Sequence, residues 1–354
     1  MNIRRRIPRT FVALWLVVLF EPLASAQTIP VIIDTDFAMP PVDDALALML
    51  ALQSPELDIL GITTVSGNVG VERATREARQ LLTIAGRSDI PLHRGAAMPL
   101  VHTPGPFARE SYGTWYEHSH GADTTVAAED TATAFITETI SSKPNAVTLI
   151  ALGPLTNIAK AIRSAPTLAK RVRRLVVMGG AFASLPDGGG NLTPNAEFNF
   201  WVDPEAAHVV LTSGIPIEIS PLNVARKYTL SSTDFGRFVA RDTPFTALLK
   251  QGFAGQFDGR SRATLHLYDP IAIASVIAPD IVETVRFYVD VDVNHDINYG
   301  VSVGGSKRWP GAELAEQVDV QADLNSKRFL ALLIERIQRA LPAQTAADQA
   351  KALR

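Results

Sequence analysis

Short, almost continuous apolar runs alternate along the chain with longer segments that have the composition of helices. The runs are rich in Val, Ile and Leu, which is typical of strands that are buried on both faces of a sheet. Strands are predicted at residues 30–33, 57–65, 146–152, 174–178 and 215–219, and helices at residues 42–52, 71–85, 155–164 and 204–213. This alternation predicts an α/β fold with a doubly wound, mostly parallel sheet and helices on both faces.

Carboxylates are concentrated where the first predicted strand ends. Asp34-Thr35-Asp36 closes that strand and Asp43-Asp44 opens the next helix. Parallel sheets of this kind bind ligands beyond the C-terminal ends of their strands. Four carboxylates within about eleven residues repel one another, so they need a cation or raised pKa values to coexist. The alternatives are that Asp34 forms a buried turn and that Asp43 and Asp44 complement a helix N-terminus.

The residues near this cluster favour a hard cation. The chain has no Cys, and no pair of His residues lies beside the cluster at ligand spacing, which argues against Zn²⁺. Sites built only from oxygen ligands hold Ca²⁺, and Mg²⁺ is the alternative because it also takes carboxylates and water. The sequence therefore predicts a metal site for Ca²⁺.

A second polar group lies downstream of the fourth predicted strand. Asn191, Glu197 and Asn199 offer the donors and acceptors that the hydroxyls of a ribose need. Asn191 follows three Gly residues, so a turn residue is the alternative interpretation for it. Phe198 and Phe200 alternate with Glu197 and Asn199, and this alternation predicts an extended segment with the polar pair on one face.

Five motifs, in this order, resemble those of the inosine-uridine nucleoside hydrolase family. They are Asp34-Thr35-Asp36 with Asp43-Asp44-Ala45-Leu46-Ala47; Val65-Ser66-Gly67-Asn68-Val69; Ala151-Leu152-Gly153-Pro154-Leu155-Thr156-Asn157-Ile158-Ala159; Met178-Gly179-Gly180 with Asn191, Ala196-Glu197-Phe198-Asn199 and Asp203-Pro204-Glu205-Ala206-Ala207; and Asp269-Pro270. The resemblance covers residues 29–335. It implies a nucleoside hydrolase-like fold with a Rossmann-like core, and an enzyme that hydrolyses the N-glycosidic bond of ribonucleosides to free base and ribose.

The resemblance also implies a role for each matching residue. Ca²⁺ would be bound by the carboxylates of Asp36, Asp44 and Asp269 and by the backbone carbonyl of Leu152. Asp36 would in addition take a proton from the attacking water, which the metal activates. The substrate would be contacted by Asp43, Asn68, His120, Met178, Asn191, Glu197 and Asn199. Of these, Asp43 would hydrogen-bond a ribose hydroxyl and His120 would lie in a base-contacting loop.

Two features depart from the family pattern. The link at residues 37–42, between Asp36 and the Asp pair, is about three residues longer, lacks a Gly and contains two Pro residues. The metal geometry survives if the extra residues loop outward. In addition, Tyr268 stands where many members have a His that protonates the leaving base. A Tyr pKa near 10 makes it a slower acid than His. His266 is a second candidate, and an ordinary partly buried His is the alternative interpretation of it.

The first 26 residues have the features of a cleavable signal peptide. Four Arg residues precede an uncharged stretch of about 11 residues, and Ala24-Ser25-Ala26 fits a cleavage site. An uncleaved membrane anchor is the alternative. We therefore expect a signal peptide at residues 1–26, a single catalytic domain at residues 27–342 and a flexible tail at residues 343–354. The expected location is periplasmic or secreted, with no stable membrane association after cleavage.

Charge and composition limit the classes of molecule that the chain is expected to bind. Residues 1–26 carry four Arg and one Glu, so their removal changes the formal net charge from −3 to −6. A mildly acidic chain is a poor candidate for binding nucleic acid, and a small nucleoside is the expected ligand. The absence of Cys excludes disulfides and thiolate chemistry. The family resemblance implies a homo-oligomer, either a dimer or a tetramer, and leaves the base preference open.

Three functions remain open on the sequence alone. The first is a nucleoside hydrolase, and the second is a hydrolase of another ribosyl or N-glycoside compound. The third is an exported ribose- or nucleoside-binding protein that has lost catalysis. The intact Asp36, Asp44 and Asp269 argue against the third function, whereas the missing His before Asp269 keeps it open.

Overall fold

The computed structural model of the protein describes residues 28–101, 129–257 and 265–341. The signal peptide, His120 and the C-terminal tail lie outside the described residues and stay predictions. Within the three ranges, no helix is both long enough and apolar enough to cross a membrane.

Two sheets are present in the described part of the chain. The strands are β1 (Ile29–Thr35), β2 (Leu57–Thr64), β3 (Leu92–Arg94), β4 (Thr148–Ala151), β5 (Arg174–Met178), β6 (Ile217–Ser220), β7 (Thr229–Leu230), β8 (Leu265–His266), β9 (Val282–Val291), β10 (Ser302–Gly305) and β11 (Glu316–Leu324). The main sheet has nine strands in the order β10-β9-β11-β6-β5-β4-β1-β2-β3, and β7 pairs with β8 in the small one. In the main sheet β9 is antiparallel to both of its neighbours, and the other pairings are parallel.

Helices connect most of these strands. They are α1 (Asp44–Leu52), α2 (Val71–Ile84), α3 (Ala132–Ser142), α4 (Thr156–Ser164), α5 (Phe198–Val202), α6 (Pro204–Leu211), α7 (Leu222–Ala225), α8 (Ser232–Phe238), α9 (Pro244–Gly252), α10 (Asp269–Ile277) and α11 (Ser326–Ile337), with short 3₁₀ turns at Leu168–Arg171 and Pro279–Ile281.

The two faces of the main sheet bury separate hydrophobic cores. Along β1, Val31 and Ile33 belong to one core and Ile32 to the other, as the two-residue period of a strand requires. Side chains of α1, α2 and α7 to α11 complete the first core, and side chains of α3 to α6 complete the second. Helices therefore cover both faces of the sheet.

Helices α1 and α10 are apolar on nearly every side. The residues of α1 from Asp44 to Ala51 are buried, and so are those of α10 from Asp269 to Val276. The two helices pack against each other. A helix without a polar face has to lie inside the protein. The acidic residues at the two N-termini are therefore carried into the interior with their helices.

The predicted architecture is confirmed, with one local correction. The nine predicted elements are present and their ends differ from the prediction by at most two residues. The predicted extended segment around Glu197 is wrong, because helix α5 begins at Phe198. The Glu197 carboxylate accepts the backbone N–H groups of Asn199 and Phe200 and so caps that helix. The capping hydrogen bonds, and not the alternation of polar and aromatic residues, therefore determine the conformation of this segment.

Candidate active site

Three carboxylates meet at the N-termini of α1 and α10. Asp43 and Asp44 begin α1, Asp269 begins α10, and one oxygen of each carboxylate lies within 4.8 Å of the other two. All three residues are buried. The packing of the two apolar helices therefore brings together Asp44 and Asp269, which are far apart in the sequence, and adds Asp43 to them.

Asp36 lies directly after β1 in a backbone cradle. Its Oδ2 accepts the N–H of Asn68 at 2.6 Å, and its buried Oδ1 has no hydrogen-bond partner among the residues that the structure describes. A side chain at Gly67 would overlap the Asp36 carboxylate, and one at Gly153 would come within 2.8 Å of Oδ1. The two glycines are needed because the backbone approaches Asp36 so closely. Asn68 also donates its side-chain amide to Asp44 at 3.1 Å, so it links the two carboxylates.

Asp34 has a structural role. Its buried carboxylate accepts hydrogen bonds from the Asn157 side chain at 2.7 Å and from the Thr63 hydroxyl. Asn157 also donates to the Thr64 carbonyl and accepts the N–H of Ala96. Asp34 and Asn157 together therefore join the ends of β1 and β2 to Ala96, which follows β3.

Asp43 joins the two helices. Its Oδ2 accepts the backbone N–H groups of Tyr268 at 2.6 Å and of Asp269 at 3.0 Å. These N–H groups open α10 and have no partner within that helix. The predicted contact of Asp43 with a ribose hydroxyl stays a prediction, and the structure adds this second role.

Ionisation of the clustered carboxylates is unfavourable in the metal-free protein. Burial raises the pKa of Asp36 to about 7 and that of Asp43 to about 6. Burial and then the neighbouring carboxylates raise the pKa values of Asp44 and Asp269 well above their ordinary range. Among the described residues, no Lys or Arg forms an ion pair with any of the four.

A hard cation fits these donors. The unpartnered Oδ1 of Asp36 and the convergent carboxylates of Asp43, Asp44 and Asp269 present oxygen atoms alone. Such cations bind several carboxylate and carbonyl oxygens at once. A bound cation would also offset the buried negative charge, which no basic side chain offsets in the described part of the chain.

Asn199 holds the ends of two strands. Its side-chain amide donates to the Leu152 carbonyl at 3.1 Å and to the Met178 carbonyl at 3.2 Å, and it also contacts the Met178 sulfur at 3.2 Å. Leu152 follows β4 and Met178 ends β5, so both predicted site residues lie at the C-terminal edge of the sheet. Asn199 therefore orients the carbonyl that was predicted to be a metal ligand.

The Glu197 carboxylate is bonded to backbone groups. Oε1 accepts the N–H of Asn199 at 2.8 Å, and Oε2 accepts those of Gly180 and Phe200 at 3.0 Å. Burial raises its pKa, and these N–H groups act in the opposite direction. Its predicted contact with a sugar hydroxyl stays a prediction.

The Gly-rich loop before α5 is fastened by a residue that the sequence did not single out. Arg226 follows α7, and its guanidinium donates to the carbonyls of Asp187, Gly189 and Gly190. The next residue, Asn191, is exposed, and its Oδ1 accepts the N–H of Phe198 at 2.9 Å. The only sequence signal for Arg226 was its position soon after a strand end, which many residues share.

Tyr268 and His266 are neighbours just before α10. Their ring centroids are 6.0 Å apart, and both residues are half-buried. The Tyr268 N–H is held by Asp43, which fixes the backbone at this point. Burial, and then the Asp43 charge, raises the pKa of the Tyr268 phenol. The phenol therefore stays protonated at neutral pH.

The long link is only partly on the surface. Phe37 and Ala38 are buried, Met39 and Pro40 are half-buried, and only Pro41 is exposed. Outward looping, the condition for an unchanged metal geometry, is therefore met only near Pro41. Asp36 and Asp44 nevertheless lie near each other, because Asn68 donates hydrogen bonds to both carboxylates.

Comparisons with known proteins identify the family of the chain. The sequence profile of the inosine-uridine preferring nucleoside hydrolase family matches residues 31–331. The pyrimidine-specific ribonucleoside hydrolase RihA of Citrobacter koseri is 34% identical over 88% of this chain and 98% of its own length. Uridine nucleosidase 1 of Arabidopsis thaliana is 35% identical over 79% of this chain and 84% of its own length. The solved structure of the plant nucleoside hydrolase PpNRh1 matches with a TM-score of 0.72 at 29% identity, over 88% of this chain and 99% of that one.

The buried carboxylates predict that the metal-free protein loses stability as the pH rises. Their folded-state pKa values lie above the unfolded value of about 3.9. The stability that they contribute is fully present below that value and is lost as the pH rises through the folded values, about 6 for Asp43 and about 7 for Asp36. Thermal unfolding in chelator should therefore show a lower Tm at about pH 7.5 than at about pH 5.

Asp44→Asn sharpens this measurement. Because this substitution removes one buried charge, it should raise the Tm of the metal-free protein at about pH 7.5. At the same pH, adding a divalent cation should raise the Tm of the wild type. Asp58→Asn, at an exposed position of β2, is the matched control and should leave the Tm unchanged. A metal-free wild type whose Tm does not depend on pH, together with a destabilised Asp44→Asn, would contradict the prediction.

Proposed function

The chain belongs to the inosine-uridine preferring nucleoside hydrolase family and hydrolyses the N-glycosidic bond of ribonucleosides to free base and ribose, and we propose that it does so with Ca²⁺ at the buried carboxylate cluster. The proposed ligands are the carboxylates of Asp36, Asp44 and Asp269 and the carbonyl of Leu152. The observation that carries this proposal is the convergence of buried carboxylates without a basic partner among the described residues. Ca²⁺ suits a site made of protein carboxylates and a carbonyl, whereas Mg²⁺ usually keeps several waters.

The proposed reaction needs an activated water molecule and a group that accepts its proton. When bound, Ca²⁺ supplies positive charge that makes a water molecule more acidic. Asp36 offers an oxygen without a hydrogen-bond partner, which can accept the proton that this water gives up. The C1′–N bond breaks through an oxocarbenium-like transition state, as in other glycoside hydrolysis. The water is therefore needed on one face of a firmly held sugar.

We propose that the polar residues around the cluster bind the sugar. Asp43, Asn68, Asn191, Glu197 and Asn199 would bind the ribose hydroxyls, and Met178 would pack against the sugar. Their backbone hydrogen bonds fix most of these side chains before a ligand arrives. The base would extend towards Tyr268 and His266 and towards His120, which lies outside the described residues.

Pyrimidine ribonucleosides are the proposed preferred substrates. The relatives from Citrobacter koseri and Arabidopsis thaliana are named for pyrimidine ribonucleosides and for uridine, and each is at least 34% identical to this chain. Hydrolysis rates for uridine, cytidine, inosine and adenosine at equal concentration test this preference. Faster turnover of inosine than of uridine would reverse it.

We further propose that residues 1–26 are removed on export and that the mature protein is a homo-oligomer without stable membrane association. The basic start, the apolar run and the Ala24-Ser25-Ala26 site support export. Native mass spectrometry of protein from the exported fraction should show a chain beginning at Gln27, assembled as a dimer or tetramer. An intact Met1 in the cytoplasmic fraction would end the export proposal, and a monomer would end the oligomer proposal.

Asp44→Ala should abolish Ca²⁺ binding and most of the nucleoside hydrolysis. A hard cation that loses one of its buried carboxylate ligands loses much of its binding free energy. Calorimetry measures the binding, and release of base from uridine measures the activity. Wild type should lose activity in chelator and regain it with Ca²⁺. Full activity of wild type or variant in chelator would show that the metal assignment is wrong.

Tyr268→Phe should lower turnover by less than about tenfold, because we propose that Tyr268 contacts the base and is not an essential acid. The substitution keeps the ring and removes only the hydroxyl. A natural nucleoside and p-nitrophenyl riboside should be affected alike, since the nitrophenyl leaving group needs no proton. If the natural nucleoside loses far more activity than the nitrophenyl compound, Tyr268 is the acid.

A further inference from the structure

The link at residues 37–42 connects two proposed ligands of the metal, Asp36 and Asp44, and the structure holds it at several points. Phe37 is fully buried in the first core. The N–H of Met39 donates to the Glu77 carboxylate at 2.8 Å. Glu77 lies on α2, the helix that follows the Asn68 turn against Asp36. One side of the link is therefore fixed to the helix that directly follows the turn against Asp36.

The opposite side of the link lies against the end of α9. A methyl group added to Gly252, the last residue of α9, would overlap the Cβ of Pro40. It would also come within 3.1 Å of the Pro40 carbonyl oxygen and 3.2 Å of its carbonyl carbon. Two of these three atoms belong to the backbone, which cannot rotate away as a flexible side chain can. Gly252 does not have a positive φ, so it is the close approach to Pro40 that requires glycine.

The end of α9 is a firm support. Phe253 follows Gly252 and is fully buried, and its ring lies 5.6 Å from that of Phe235 and 5.9 Å from that of Phe257. Dense aromatic packing resists displacement. A larger residue at Gly252 would therefore move the link rather than α9.

The link has little freedom to absorb such a movement. Its two Pro residues restrict the backbone at its centre. Beyond them, Asp43 is bound to the N–H groups of Tyr268 and Asp269. A displacement of Pro40 would therefore be passed on to Asp36 on one side and to the Asp pair on the other.

We propose that Gly252 is a positioning residue for the metal site: by letting Pro40 rest directly on α9, it sets the separation of the carboxylates of Asp36 and Asp44. This inference rests on the proposed function, because it takes Asp36 and Asp44 as Ca²⁺ ligands. Gly252 touches neither carboxylate and acts only through the link. Its effect should therefore appear first in Ca²⁺ affinity.

Calorimetric titration of the metal-free protein with Ca²⁺ tests the inference. Gly252→Ala should raise the Kd for Ca²⁺ at least about tenfold, a loss of about 1.4 kcal/mol. Gly255→Ala is the matched control, because a methyl group at Gly255 meets no atom of the described residues within 4 Å. It should bind Ca²⁺ as wild type does. Excess Ca²⁺ should restore uridine hydrolysis by Gly252→Ala, since the ligands themselves are intact.

A second substitution separates this effect from general damage. Pro40→Gly combined with Gly252→Ala removes the Cβ overlap, so it should bind Ca²⁺ more tightly than Gly252→Ala alone. Pro40→Gly by itself removes the support of the link and should weaken Ca²⁺ binding several-fold. If Gly252→Ala does not fold, the Ca²⁺ affinity of Pro40→Gly alone tests the inference.

Three results would overturn the inference. The first is wild-type Ca²⁺ affinity in Gly252→Ala or, if that variant does not fold, in Pro40→Gly. The second is an equal loss of affinity in Gly255→Ala. The third is a wild type that binds no Ca²⁺, which refutes the calcium proposal itself and is thereby distinguished from the first two.

Discussion

The burial of several carboxylates in one place, with no basic partner among the described residues, is the constraint on which the site depends. Asp36, Asp43, Asp44 and Asp269 are almost entirely removed from solvent. Burying ionised carboxylates is unfavourable unless they are paired or bind a metal. The pKa values rise first because burial disfavours the ionised form, and those of Asp44 and Asp269 rise further because of the neighbouring carboxylates. A protein with this arrangement would gain stability from a bound cation, which is why we propose a metal at this site.

The fold meets this constraint with two helices that have no polar side. Because α1 and α10 are buried along their lengths, their N-termini lie in the interior next to the carboxyl ends of the strands. Helix N-termini carry partial positive charge, which offsets part of the negative charge of Asp44 and Asp269. Asp43 accepts the first N–H groups of α10, so the two N-termini are held together by a hydrogen-bonded carboxylate. The features that stabilise the pair of helices therefore also fix the donors of the proposed metal site.

Periodicity and composition predicted the sheet and its helices, because both depend on burial patterns that are local in sequence. The residue types of the site were also predictable, since carboxylates and amides after strand ends point to cation and sugar chemistry. The contacts that hold the site were not. The role of Arg226 depends on a loop some 40 residues away, and the role of Gly252 depends on the close approach of Pro40. The helix at Phe198 was missed because capping by Glu197 is a three-dimensional arrangement that alternation does not show.

The hydrogen bonds already made in the protein restrict how a ribose can be bound at the proposed site. Asn199 donates its amide hydrogens to the carbonyls of Leu152 and Met178. Its side-chain oxygen therefore remains as an acceptor. An ionised carboxylate accepts about four hydrogen bonds, and Glu197 accepts three from backbone N–H groups. Both residues therefore present acceptors to the ligand, and the sugar hydroxyls would act as donors to them. A hydroxyl that donates leaves its own lone pairs for a cation or for Asn68. Recognition of the sugar and binding of the metal would then reinforce each other through the same hydroxyls.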